Sequence, residues 1–66
     1  MPKEWTGELV GLMHLHRITA TELADKLGIS KQYLSMVLNG HREPPDAEQR
    51  FRAALDELIA EVQRGG

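Results

Sequence analysis

Residues 19–40 hold two short helix signals in succession, each with its own start and stop. Thr19-Ala20-Thr21-Glu22 fits a capping box, with Thr19 as N-cap and Glu22 at the third helical position. Ile18 and Leu23 fall where a hydrophobic staple would close around that cap. Leu23, Ala24 and Leu27 give the helix a buried face, and Gly28 can take the left-handed conformation that ends it. Ser30 then caps a second helix, with Ile29 and Leu34 repeating the staple. Leu34, Val37 and Leu38 form its inner stripe, and Asn39-Gly40 stops it, with one of the two left-handed. The pattern predicts helices over 20–27 and 31–38. Isolated helices below ~12–15 residues are marginal in water. Each must therefore lean on the other and on flanking helices.

The flanks supply them. Trp5, Leu9, Leu12, Met13 and His16 recur at helical spacing, which predicts a first helix over about Lys3 to His16, with Leu15 widening the apolar stripe. Gly7 and Gly11 share one face of it. They mark either the close approach of another helix or two poor helix formers, each costing ~1 kcal/mol relative to alanine. After a loop through Gly40-His41-Arg42-Glu43-Pro44-Pro45, Asp46 and Gln49 can cap a last helix, and Glu48 suits its N-terminal end. Phe51, Ala54, Leu55, Leu58, Ile59 and Val62 form its broad apolar stripe, to about Gln63. A helix over 47–63 spans ~25 Å at ~1.5 Å per residue, more than a small core requires. No β-branched or aromatic run alternates with polar residues over a strand length. Two short helices across a tight, glycine-containing turn make the helix-turn-helix pattern.

Sixty-six residues suffice for one domain at most. The absence of cysteine removes disulfides, thiolate metal sites and cysteine nucleophiles together. No apolar run approaches the ~20 residues of a membrane span. Met1-Pro2-Lys3-Glu4-Trp5-Thr6 lacks the apolar stretch of a signal peptide, so a cytoplasmic location is expected. The net charge of −2 is unevenly spread. Residues 14–42 carry Arg17, Lys26, Lys31 and Arg42 against Glu22 and Asp25, while residues 43–66 carry six carboxylates against Arg50, Arg52 and Arg64. A mildly basic middle thus precedes an acidic C-terminal third. Any binding to nucleic acid must rest on a local face rather than on the field of the whole molecule.

The residues of this middle segment resemble the helix-turn-helix of the lambda-repressor/Cro-like family, also called Xre-type regulators. Glu22-Leu23-Ala24, Leu27-Gly28-Ile29-Ser30, Leu34-Ser35 and Asn39-Gly40 carry the resemblance. It implies an all-α, compact domain of four helices, with a fifth as the alternative. Residues 1–66 would form this single helix-turn-helix DNA-binding domain, with the motif at about 19–40 and the long C-terminal helix at about 46–63. It also implies that the helix over 31–38 enters the DNA major groove.

Helical spacing turns Leu34, Val37 and Leu38 inward and leaves Lys31, Gln32, Ser35 and Met36 outside, with Tyr33 at the margin. In docked helices of this kind the N-terminal residues reach base edges. Gln32 can pair bidentately with adenine, Lys31 can donate to guanine O6 and N7, and Met36 can touch a thymine methyl. Tyr33 either reaches a sugar or phosphate or packs against a neighbouring helix. By the resemblance, Thr19, Thr21 and Ser30 lie where helix N-termini hold phosphates, and Asn39, His41 and Arg42 match a second clamp after the reading helix. The family often has glutamine one residue after the first N-cap, where this chain has Ala20.

Readers of this size normally bind as dimers on half-sites ~34 Å apart, so an inverted-repeat operator and a homodimer are expected. Leu55, Leu58, Ile59 and Val62 on the last helix are the dimer candidates. The alternative is a protein-interaction module or antitoxin-like partner, which the acidic balance favours. Lys31, Gln32, Asn39 and Arg42 argue against it. No nucleophile–base pair and no phosphate-cradling glycine loop is present. His14 and His16, two apart, cannot share a helical face as metal ligands. No enzyme activity, cofactor, metal or small-molecule substrate is expected. The predicted function is a transcriptional regulator, a repressor of phage or mobile-element type.

Overall fold

The computed structural model describes residues 4–65, and Lys3, the expected start of the first helix, lies outside them. Four helices follow in order: α1 (Glu4–Leu15), α2 (Ala20–Leu27), α3 (Lys31–Leu38) and α4 (Ala47–Gly65). No strand occurs among the described residues. α4 continues unbroken, so the fifth-helix alternative is not taken up.

Local chemistry sets the bounds of α2 and α3. Thr19 is extended at φ −87° and ψ 159°, and its Oγ1 accepts from the Glu22 N–H at 3.1 Å. Glu22 Oε1 reaches back to accept from the Thr19 N–H at 2.9 Å, completing the capping box. The staple residues Ile18 and Leu23 are both buried. Ser30 Oγ accepts from the Tyr33 N–H at 3.0 Å and starts α3 the same way. Gly28 and Gly40 take the left-handed positions at φ 73° and 81°. Asn39 does not, remaining at φ −92°, and its side-chain amide donates to the Ser35 carbonyl at 2.8 Å.

α4 begins differently from the expectation. Asp46 is itself left-handed, at φ 61°. An N-cap side chain reaches the third helical residue from an extended backbone. Asp46 lacks that backbone, and no Asp46–Gln49 hydrogen bond forms among the described residues. The Asp46 carbonyl nevertheless accepts the first helical bond, from the Arg50 N–H at 2.9 Å.

Leu9 and Met13 from α1, Leu23 and Ala24 from α2, Leu34 and Val37 from α3, and Ala47, Phe51, Ala54 and Leu55 from α4 enclose the core, with Ile18 closing one end. Trp5 meets Phe51 edge to face, with ring centroids 5.8 Å apart and planes at 88°. Two features of α1 differ from the sequence reading. Leu15 is 73% exposed, because at ~100° per residue it points well away from Met13 and the helix stops there. Thr6, a polar residue the apolar pattern passed over, is buried. Gly7 and Gly11 face open space, with nothing within 4 Å of an added Cβ. Neither marks a close helix approach within the molecule.

Two ion-pair sets tie α4 to the other helices. Lys26 Nζ on α2 lies 2.9 Å from Glu61 and 4.0 Å from Glu57. Arg52 lies 2.8 Å from Glu8 on α1 and 2.9 Å from Glu48. All these groups are substantially exposed, so they orient α4 more than they stabilise it. The hydrogen bond to Glu61 raises the Lys26 pKa above its ordinary 10.5.

Candidate nucleic-acid interface

The inner face of α3 is fixed by Leu34 and Val37, which are buried. What remains outside follows from helical geometry. Lys31, Gln32 and Ser35 are exposed, and Met36 is half-buried. Tyr33 is half-buried and packs against the core, so its ring belongs partly to the scaffold. α3 has no acidic residue in its first turn or anywhere along it. Its outer face therefore presents a cation and neutral hydrogen-bonding groups, with no carboxylate to repel a phosphate backbone.

The caps have already committed part of the hydrogen-bonding capacity. Thr19 Oγ1 both accepts from the Glu22 N–H and donates to Glu22 Oε1 at 3.0 Å, so its hydroxyl proton is in use. Thr21 is exposed at the same end of α2, and no hydrogen bond among the described residues engages its hydroxyl. Ser30 is exposed and uses its oxygen as an acceptor, which leaves its own proton to donate. Asn39 donates to the Ser35 carbonyl and, at 3.2 Å, to Ser35 Oγ, fixing the C-terminal end of the outer face. Beyond it His41 and Arg42 are exposed.

A shallow cleft gathers Lys31 and Ser35 from α3 and Asn39 just after it, beside Ala20 at the start of α2, with Val10 and Leu38 as its apolar floor. The start of α2 and one side of α3 thus share one surface. Among the described residues no ion pair holds Lys31 or Arg42. Lys26 is different. Its partners Glu57 and Glu61 withdraw it from the basic middle segment, leaving Arg17, Lys31 and Arg42 as that segment's cations without an ion pair among the described residues. Sequence spacing carried no signal for this, because Glu61 stands 35 positions from Lys26.

The dimer candidates divide. Leu55 is 1% exposed and lies in the core of the molecule, because it shares the inward face of α4 with Phe51 and Ala54. It cannot serve as a contact between copies while the fold is intact. Leu58 and Ile59 are half-buried against that core, and Val62 is 49% exposed. Among the described residues no three His, Asp or Glu side chains group as a metal site, and no helix is long and apolar enough to cross a membrane.

A helix-turn-helix family model matches residues 15–48, which span α2, the turn, α3 and the loop into α4. No curated protein and no solved structure matches the chain. The matched stretch covers just over half of the 66 residues and contains the groups that build the outer face of α3. The chain belongs to the Cro/C1-type, Xre-like helix-turn-helix family of DNA-binding transcription regulators.

Proposed function

We propose that the protein is a sequence-specific repressor of phage or mobile-element type, acting in the cytoplasm as one domain over residues 1–66. It binds double-stranded DNA as a homodimer on an inverted repeat. The reading rests on one observation: the outer face of α3 exposes Lys31, Gln32 and Ser35, with no carboxylate on the helix. Lys31, Gln32, Ser35 and Met36 read base edges in the major groove. Thr19, Thr21, Ser30, Tyr33, Asn39, His41 and Arg42 contact the sugar-phosphate backbone or the groove edge. For Thr19 the contact is through the helix end rather than the committed hydroxyl. The contact between copies uses the distal part of α4, where Val62 is exposed and Leu58 and Ile59 are half-buried.

The acidic surface of α4, with Asp56, Glu57 and Glu61 all exposed, favours a second reading as a protein-interaction module or antitoxin-like partner. That surface lies off α3, so it suits an added partner better than a replacement for DNA.

Arg42→Ala tests the backbone assignment. Arg42 is exposed and has no ion-pair partner among the described residues. Its loss is expected to weaken binding to all duplexes alike and to lower the slope of log K against log salt by about one per protomer. Titrations at several salt concentrations measure this. An unchanged slope would remove Arg42 from the phosphate contacts.

A further inference from the structure

Each of the first three helices ends by the same device. The chain turns through one left-handed residue: Arg17 at φ 58° after α1, Gly28 at 73° after α2, and Gly40 at 81° after α3. The next N–H then returns to a carbonyl five residues back. Ile18 donates to Met13 at 2.8 Å, Ile29 to Ala24 at 3.0 Å, and His41 to Met36 at 2.9 Å. Glycine is the usual occupant of such a position, because a Cβ there crowds the backbone. Two of the three carry glycine, whereas the first carries arginine.

Among the described residues no partner of the Arg17 side chain offsets that cost. Arg17 is exposed, and its guanidinium has no ion pair or hydrogen bond among the described residues. Its surroundings point outward to the reading face. Arg17, His14 and Thr19 line a cleft floored by Val10, Ala20 and Leu38. Those same three floor residues border the cleft that holds Lys31, Ser35 and Asn39. The two clefts are one continuous surface, with Arg17 at one edge and the reading helix at the other. At the start of α2 between them Ala20 has no side-chain donor and the Thr19 hydroxyl is committed to Glu22, which leaves the Thr21 hydroxyl as the remaining donor there.

We propose that Arg17 binds a phosphodiester of the DNA backbone at the outer edge of each half-site. A guanidinium suits this task, because its forked N–H groups match phosphate oxygens. The cost in isolated stability is retained because the charge is needed only when DNA is present. The assignment rests on the DNA-binding reading above.

The test compares the full-length protein with Arg17→Gly and Arg17→Lys. Each is titrated with its selected duplex and with a random-sequence duplex at several salt concentrations, and each is melted without DNA. Arg17→Gly is expected to melt about 4 °C or more above the parent protein, because the left-handed strain is gone. It is also expected to bind both duplexes about tenfold more weakly, with the salt slope lower by about one per protomer. Arg17→Lys is expected to keep the slope. The combination of a more stable and weaker-binding variant is required, and the absence of either half overturns the assignment. If the parent protein binds DNA and the glycine variant keeps its slope, Arg17 alone falls. If the parent protein binds no duplex, the DNA reading falls and takes Arg17 with it.

Discussion

Leu34→Ala is expected to lower the unfolding free energy by ~2–5 kcal/mol and to abolish DNA binding by unfolding the domain. Leu34 is fully buried on the inner face of α3, with none of its side chain exposed. Its removal deletes transfer free energy and leaves a cavity that a small core closes only in part. At ~0.05–0.15 kcal/mol per residue a chain of this size has only a few kcal/mol to lose. Neither α2 nor α3 persists without its neighbours, so the loss is shared by the whole fold. Urea unfolding followed by the fluorescence of Trp5, which sits against Phe51, measures the effect. A cost below about 1 kcal/mol, with binding intact, would show that α3 does not seat through Leu34.

Gln32→Ala, two residues away, is expected to do the opposite. Gln32 is exposed in the first turn of α3, so its loss leaves the fold and the urea midpoint nearly unchanged. On the selected duplex it is expected to cost ~1–3 kcal/mol and to relax preference at one base pair per half-site. Binding to random duplex is expected to be unaltered. Competition titrations against duplexes varied one position at a time read this directly. An equal loss on every sequence would make Gln32 a backbone contact instead of a base reader. Together the two variants separate the scaffold face of α3 from its working face.

The parts of the fold fixed by neighbours in sequence were legible before the structure. The capping box at Thr19 and Glu22, the cap at Ser30 and the stop at Gly28 bound α2 and α3 to the residue. Each involves groups within a few positions of one another, and the residue types name the geometry. The outer face of α3 was legible for the same reason, since burial of Leu34 and Val37 leaves Lys31, Gln32 and Ser35 outside.

What escaped was set by groups distant in sequence or by backbone conformation. Lys26 counts toward the basic middle segment until Glu61 folds across it. Leu55 and Val62 lie on one helical stripe, yet only the packed position of α4 separates a core residue from a surface one. Arg17 and Asp46 take left-handed backbones that no residue type announces, unlike Gly28 and Gly40.

The most direct measurement is a selection of the full-length protein on random duplex DNA at low salt, followed by titration of the enriched sequence at rising salt. An inverted repeat is expected, with half-sites about one helical turn, ~34 Å, apart, and with affinity that falls steeply as salt rises. Absence of any enriched sequence, with only weak salt-sensitive association, would contradict a base-reading role for the outer face of α3.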